Sequence, residues 1–278
     1  MRVHVCGVRG STPASGREFV RYGGHTSCVA VAHDGEPPSL ILDAGTGIRQ
    51  VSTLLDGQPF RGSILLGHLH WDHTQGIPFF RSADNADART DVYIPAQGDA
   101  EQVLEGFMSP PYFPITPGQL NGAWRFLSLE EGTTEIEGFT VLALEIPHKG
   151  GRTFGFRVSD GTSVISYLSD HCPISLGGGP EGLGEYHPAA LTLTQSCDLL
   201  FHDSQYTDEE LPDKVKFGHS SIGYAIGLAE ASDVKRLLLY HHDPPRTDDQ
   251  IDSILSGIRR TSVEIAGAAE QMVIDLPI

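Results

Sequence analysis

The feature that most constrains this chain is the segment Gly67–His73, in which four metal-competent side chains fall within six positions. Their spacing is His-x-His-x-Asp-His. A helix would scatter them, because residues at i and i+2 do not share a helical face, whereas a strand end followed by a tight turn can converge them. The apolar run before the motif is typical of a short buried strand. We therefore predict a loop at a strand's C-terminal end, a common place for catalytic residues.

Further candidate ligands recur downstream. His148, Asp170 and His241 each come after an apolar, strand-like run. This recurrence of strand and then ligand argues against a surface loop that is merely rich in histidine. Neutral imidazole and carboxylate donors, without thiolate, suit divalent zinc or manganese. The pattern therefore predicts a metal site assembled from several loop tips.

The motif His68-x-His70-x-Asp72-His73 resembles the signature of the metallo-β-lactamase superfamily. Its continuation, Thr74-Gln75-Gly76-Ile77-Pro78, resembles the branch that contains ribonuclease Z and phosphodiesterases. The resemblance covers essentially the whole chain and implies an α/β fold, a four-layer αβ/βα sandwich known as the metallo-β-lactamase fold. No linker divides the sequence, so we expect residues 1–278 to form a single domain.

The resemblance also implies a ligand set for two divalent ions, with Zn²⁺ expected and Mn²⁺ as the alternative. The first ion takes His68, His70 and His148, the second takes Asp72, His73 and His241, and Asp170 bridges them. A carboxylate has two oxygens, so one such residue can serve two ions. The sequence leaves open whether His241 or His242 is the ligand. We choose His241 because Leu238-Leu239-Tyr240-His241 resembles the strand-then-histidine pattern of ribonuclease Z.

A hydroxide shared by two metal ions would attack a phosphoryl group near neutral pH, and the leaving alkoxide would then need a proton. Gly218-His219-Ser220-Ser221 resembles the His-Ser-Thr motif of ribonuclease Z, whose histidine is assigned to proton donation. We therefore expect Asp72 and His219 to be catalytic. A plainer interpretation is that Ser220 or Ser221 caps the helix that begins near Ile222, and both can hold.

Three other segments are candidates for supporting this centre. Asp43 follows a strand and precedes glycines, so it either orients a metal ligand or caps a helix, and the resemblance favours the first. Asp203 is expected to orient His219 or a metal ligand. The Pro110–Pro114 loop, with three prolines and two aromatic residues, either walls the pocket or packs on the surface.

The charge of the chain predicts its partners. The formal net charge is −17, with 19 Lys+Arg against 36 Asp+Glu. Non-specific nucleic-acid binding relies on counterion release by basic residues, so we expect no long nucleic acid as a partner. We expect a small anionic substrate drawn in by the metal ions. Residues 173–190 also lack the basic residues and the length of the arm with which ribonuclease Z grips tRNA.

Other features concern the compartment. No apolar run approaches the ~20 residues that span a bilayer, and the start of the chain is too short for a signal peptide. We therefore expect a cytoplasmic protein that does not bind membranes, with a homodimer as one expected assembly. The four cysteines are far apart and form no C-x-x-C pair, so we expect free thiols.

These observations lead to several hypotheses for function. The first is a dinuclear metal-dependent phosphodiesterase that hydrolyses a small phosphodiester, for example a cyclic nucleotide, by metal-activated hydroxide. The alternatives on the same site are a ribonuclease Z-like endoribonuclease and a hydrolase of esters, lactones or thioesters. A different class is a binding module that keeps the metal and has lost catalysis.

Overall fold

A computed structural model describes residues 1–174, 182–259 and 261–277 of the chain. Its strands, in chain order, are β1 (Arg2–Gly7), β2 (Cys28–Ala32), β3 (Leu40–Leu42), β4 (Arg61–Leu65), β5 (Arg89–Pro95), β6 (Ala123–Leu129), β7 (Gly132–Ile136), β8 (Phe139–Glu145), β9 (Phe154–Ser159), β10 (Val164–Leu168), β11 (Leu199–Asp203), β12 (Arg236–Tyr240), β13 (Glu264–Gly267) and β14 (Val273–Asp275). Its α-helices are α1 (Ile48–Leu54), α2 (Trp71–Thr74), α3 (Ala100–Glu105), α4 (Pro188–Thr194), α5 (Leu211–Lys214), α6 (Ile222–Ala231) and α7 (Asp248–Gly257).

The strands form two mixed sheets. Within the described ranges the first sheet has the order β14-β1-β2-β3-β4-β5-β6 and the second β13-β12-β11-β10-β9-β8-β7. Strands β3 to β6 pair in parallel, as do β10 to β13, and the other pairings are antiparallel. Parallel neighbours need crossover connections, and α1, α3, α4, α6 and α7 lie in them.

The core explains why the sheets stack. One apolar cluster contains residues of both sheets, including Val31, Phe156 and Leu238. A second cluster joins the first sheet to α1 and α3, and a third joins the second sheet to α4 and α6. Strand β2, Cys-Val-Ala-Val-Ala, is buried at every position because both of its faces are covered. The predicted four-layer αβ/βα sandwich is therefore confirmed. Because the central cluster is shared by both sheets, we propose that the chain is a single domain.

The topology brings loop tips together at one edge. The chain leaves β4, β10 and β12 directly before Gly67–His73, Asp170 and His241, and it leaves β8 shortly before His148. One detail differs from the prediction of a plain loop, because Trp71–Thr74 form one turn of α-helix. This turn has to hold only the adjacent Asp72 and His73, because His68 and His70 come before it in the chain.

Part of the segment at residues 173–190, whose composition argued against a tRNA-binding arm, lies outside the described residues, since positions 175–181 are not described. Among the helices that are described, none has the length and apolar character needed to cross a membrane.

Candidate metal centre

Three imidazoles form the first group of predicted ligands. One ring nitrogen each of His68, His70 and His148 lies within 4.8 Å of the others. The Nδ1 of His148 donates to the carbonyl of Gly218 at 2.7 Å, so Nε2, which lies 3.4 Å from His70 Nδ1, is the nitrogen that can bind a metal. Burial lowers the pKa of all three imidazoles. The rings are therefore neutral, which is the form that binds metal.

The second group mixes imidazoles with carboxylates. One donor atom each of Asp72, His73, Asp170 and His241 lies within 4.8 Å of the others, and all four residues are buried. The Nε2 of His73 lies 3.1 Å from Asp72 Oδ2 and 2.9 Å from Asp170 Oδ1. The Nε2 of His241 lies 3.2 Å and 3.3 Å from the same two oxygens. The ligands predicted for the second ion therefore converge.

Asp170 lies between the two groups. Its Oδ2 is 3.8 Å from His68 Nε2 and 3.6 Å from His148 Nε2, whereas its Oδ1 faces His73 and His241. Burial alone would raise the pKa of this carboxyl, but the surrounding imidazoles hold it well below its usual range. Asp170 is therefore ionised, with one oxygen toward each group, as a bridging ligand requires.

Donor atoms without partners test whether these residues fit a metal. The buried atoms of the two groups that lack a hydrogen-bond partner in the described structure are His68 Nδ1 and Nε2, His73 Nε2, Asp170 Oδ1 and His241 Nδ1. An unsatisfied buried polar group costs about 1–3 kcal/mol, so His68 Nε2, His73 Nε2 and Asp170 Oδ1, which converge without partners, indicate a cation. Nitrogen and carboxylate donors in threes and fours match divalent ions such as zinc. The residues fit two divalent ions.

Two choices between adjacent residues now have a geometric answer. His241 faces Asp72 and Asp170, whereas the Nε2 of His242 lies 2.9 Å from the carbonyl of Ala268. Next to Asp170, the Nδ1 of His171 lies 3.0 Å from His202 Nε2, in a buried histidine pair. The structure therefore brings His241 and Asp170 to the site and gives their neighbours other partners.

Asp43 lies behind the second group, where the resemblance suggested an orienting residue. Its Oδ2 accepts from His73 Nδ1 at 2.6 Å, from the Tyr167 hydroxyl at 2.8 Å and from Ser169 Oγ at 3.1 Å. Its Oδ1 accepts from the backbone N–H of Gly67 at 2.7 Å. The bond to Asp43 holds a proton on Nδ1, so Nε2 is the His73 nitrogen that faces the site.

Buried tyrosines complete this support, and the sequence interpretation missed them. The Tyr240 hydroxyl donates to the carbonyl of Gly7 at 2.6 Å and accepts from the backbone N–H of Cys28 at 3.0 Å. Tyr167 and Tyr240 are both fully buried, with their hydroxyls 3.5 Å apart. The available signal was a tyrosine at or near the end of an otherwise apolar strand, because such a hydroxyl must find a partner when buried.

Gly10 and Gln205 lie against His241. A Cβ on Gly10 would lie 2.5 Å from His241 Nδ1 and 2.6 Å from Gln205 Oε1, so only glycine fits there. Both of those atoms are buried without a described partner. Both atoms therefore lie against the backbone at Gly10, where a larger residue would displace the His241 ring.

His219 lies beside both groups. Its Nδ1 donates to Asp203 Oδ2 at 2.7 Å and lies 3.8 Å from Asp170 Oδ2. Burial lowers the pKa of His219, but the Asp203 carboxylate outweighs it and, with Asp170 and Asp72, raises that pKa to about 9. The imidazole is therefore charged at neutral pH and can donate a proton.

The surroundings of Asp203 settle the choice between its two predicted roles. It bonds to His219 and accepts from the backbone N–H of His171 at 3.2 Å and of Gln205 at 3.1 Å. It therefore orients His219. The helix-capping interpretation also holds, because Ser221 is the N-cap of α6 and its Oγ accepts from the Tyr224 N–H.

A cavity of about 350 Å³ opens onto these groups. Its lining residues are Ser11, Leu69, His70, Trp71, Asp72, Asp170 and His219. The backbone N–H of Ser11 donates to Asp72 Oδ2 at 2.7 Å, which fixes this carboxylate from the cavity side. The Pro110–Pro114 loop is not among the described lining residues. Its Phe113 instead packs edge-to-face against Phe79, with the ring centroids 6.0 Å apart.

Comparison with known proteins adds a family. A family model described as "Beta-lactamase superfamily domain" matches residues 39–242. Ribonuclease Z of Methanosarcina acetivorans is 26% identical over 318 residues, which cover 100% of this chain and 98% of that protein. Ribonuclease Z of Haloferax volcanii is 27% identical, covering 87% of this chain and 84% of that protein.

Solved structures share the fold. The short form of human tRNase Z is 21% identical with a TM-score of 0.69, covering 100% of both chains. YhfI of Bacillus subtilis is 17% identical with a TM-score of 0.71, covering 99% of both chains. A diphosphatase of the PhnP family is 16% identical with a TM-score of 0.70, covering 100% of this chain and 98% of the other.

These comparisons correct one expectation. The acidic composition led us to expect no long nucleic acid as a partner, and that prediction was wrong, because relatives that match essentially the whole chain are named ribonuclease Z. Net charge describes the average surface, whereas binding depends on the charges around one site. An average over 278 residues therefore cannot exclude RNA.

Proposed function

We propose that this metal-dependent hydrolase is an endoribonuclease of ribonuclease Z type. The chain belongs to the beta-lactamase superfamily and brings two groups of candidate metal ligands together. The observation that carries the proposal is the placement of Asp170 between the two groups, with the His219–Asp203 pair beside it. That arrangement provides for phosphodiester hydrolysis. The named relatives favour RNA as the polymer.

We propose that the first ion is held by His68, His70 and His148, that the second is held by Asp72, His73 and His241, and that Asp170 bridges them. Zn²⁺ is the proposed metal, because imidazole-rich sites without thiolate suit it, and Mn²⁺ is the alternative. When bound, such a pair supplies Lewis-acid activation of a phosphoryl group and of water.

The protein's own groups orient the reaction. Ser11 and Asp43 fix Asp72 and His73 through the hydrogen bonds described above, so the donor atoms are set before substrate arrives. His219, charged and lining the cavity, donates its proton to the leaving oxygen. Asp203 keeps the His219 ring oriented and charged.

Local positive charge supports an RNA substrate on this acidic protein. The chain has only four lysines, at positions 149, 214, 216 and 235. Lys149 follows His148, and its side chain lies beside Gly218, while Lys214 and Lys216 come just before that glycine. Three of the four lysines therefore flank His219. Lys149 and Lys216 are exposed, and no ion pair is described for either.

The predicted small phosphodiester remains a second candidate. A cavity of about 350 Å³ has room for one nucleotide rather than several, which favours a substrate such as a cyclic nucleotide. A cytoplasmic location likewise stays a prediction of the sequence.

A substrate panel tests the proposal. The Zn²⁺-loaded protein is incubated with a precursor tRNA, an unstructured RNA, cyclic nucleotides, a lactone and a thioester, with metal-free protein as the control. We expect metal-dependent cleavage of RNA at internal bonds. Turnover of cyclic nucleotides alone would favour the second candidate, and turnover of the lactone or thioester alone would contradict both.

A further inference from the structure

One exposed aromatic ring at the cavity is explained neither by the metal centre nor by the fold. Trp71 is the first residue of α2 and stands between His70 and Asp72 in the chain. It is 73% exposed, whereas the three residues that follow it in α2 are buried. None of the hydrogen bonds or ring contacts described for the chain involves its indole.

The other tryptophan shows what an indole with a structural role looks like here. Trp124 is partly buried, its Nε1 donates to the carbonyl of Asn121 at 2.7 Å, and its ring stacks on Phe126 with centroids 6.2 Å apart. Burying an aromatic ring and satisfying its N–H are both favourable. A ring that does neither, beside a candidate active site, is available to a ligand.

The cavity lining specifies the ligand's chemistry. Leu69 and Trp71 give it an apolar side, and the remaining lining residues are polar or charged. A phosphate at the ligand groups would therefore have an exposed indole within the same cavity. A planar ring attached to that phosphate through a sugar is the group that fits both features.

Resting on the proposed function, we propose that Trp71 stacks on the nucleobase next to the scissile phosphodiester and so determines specificity for nucleotides. Stacking tolerates any base, because every base has a π-face, and is worth roughly 5- to 140-fold in affinity per base. Such a contact does not depend on positive charge. It suits an enzyme with a net charge of −17 that acts on a polyanion.

Fluorescence tests the contact directly. In metal-loaded Trp124→Phe protein, Trp71 is the only tryptophan, since the chain has two. Adenosine 3′-monophosphate and 5′-monophosphate are titrated separately and compared with ribose 5-phosphate, which has the phosphate and sugar without the base. We expect at least one adenosine monophosphate to quench the fluorescence and to bind more tightly than ribose 5-phosphate, which should not quench it.

Variants at position 71 identify the cause. Trp71→Ala should lower affinity for adenosine monophosphate roughly 5- to 140-fold and leave that for ribose 5-phosphate unchanged, while Trp71→Phe retains most of the affinity. On an RNA oligonucleotide, KM should rise by a similar factor with kcat held. Metal content, measured on each variant, should stay at the wild-type value.

Several outcomes would overturn the stacking proposal. One is equal affinity of the wild-type protein for adenosine monophosphate and ribose 5-phosphate. Another is an equal loss of both affinities in Trp71→Ala, which would assign Trp71 to the geometry of the metal loop. Unchanged KM for RNA in Trp71→Ala would contradict stacking and leave the proposed function standing. Base-dependent quenching in a protein that cleaves no phosphodiester would support stacking and contradict the proposed function.

Discussion

The two ligand groups differ in charge and in what holds them. The first consists of three neutral imidazoles, and of these His70 is only half-buried, whereas the His148 side chain is buried. The second is wholly buried and adds two carboxylates to two imidazoles. His148 is oriented by one backbone carbonyl, whereas His73 is oriented by Asp43, which accepts four hydrogen bonds.

This difference indicates unequal metal sites. The second group offsets the charge of a divalent ion with its own carboxylates and is fixed before the metal arrives. In the first group only the shared Asp170 can offset the charge of an ion, since the three imidazoles are neutral. We therefore expect the ion in the second group to be held more tightly, and the ion in the first group to leave first when a chelator is added.

The largest effect should come from the residue that the two groups share. Asp170→Asn keeps the shape and removes the charge that both ions need, so we expect it to lower kcat by roughly 10⁴-fold, the scale for losing a member of a catalytic unit. Metal content, measured by mass spectrometry, should fall for both sites. The exposed Asp87→Asn is the matched control. Full activity in Asp170→Asn would break the comparison, because the groups would not form one centre.

His219 lies outside both groups, so its loss should separate catalysis from metal binding. His219→Ala should lower kcat by about 10²- to 10⁴-fold, as expected for a general acid, with both metals retained. The measurements are steady-state kinetics and metal content on the same preparation. Loss of metal together with activity would instead make His219 a ligand.

Among the proposed ligands, Asp43 bonds directly only to His73 of the second group. Asp43→Asn should weaken metal binding there by about 10- to 100-fold, because it removes the carboxylate that fixes the His73 tautomer, and should leave the first site unchanged. A calorimetric titration of the metal-free protein resolves the two binding steps. If both steps weaken equally, the groups are coupled more strongly than their hydrogen bonds indicate.

The pH profile tests the pairing of Asp203 with His219. In the metal-free protein the pKa of His219 is about 9, and bound cations lower it, so activity should fall on an alkaline limb below that pH. Asp203→Asn removes the largest contribution that raises this pKa, which should move the limb to lower pH. A raised histidine pKa also stabilises the fold at low pH and loses that contribution as pH rises toward about 9. An alkaline limb at the same pH in Asp203→Asn would show that a group other than His219 causes it.

The smallest effect concerns residues beyond both groups. Lys149→Ala and Lys216→Ala should each weaken RNA binding a few-fold at low salt. Each should also lower the slope of log binding constant against log salt concentration by about one in magnitude. Hydrolysis of a cyclic nucleotide should not change. Lys235→Ala, whose amino group pairs with Asp198 at 2.6 Å, is the control. Equal effects of all three substitutions would show that position relative to the site does not matter.

Much of this centre was predictable because it depends on local order along the chain. The spacing within Gly67–His73 and the placing of His148, Asp170 and His241 after apolar runs mark loop tips at strand ends. The fold itself followed from resemblance. The prediction about RNA failed because it used total charge, which carries no information about where the few lysines lie.

The sequence by itself determined the candidate donor residues, the strands that present them and the metal-dependent chemistry proposed for them. Only the tertiary structure decided that Asp170 faces both groups, that Tyr167 and Tyr240 hold the site from behind, and that Trp71 is left exposed at its mouth. The reason is physical. A strand pattern fixes which residues end a strand, but burial and orientation arise when two sheets pack together, and that packing joins residues far apart in the chain.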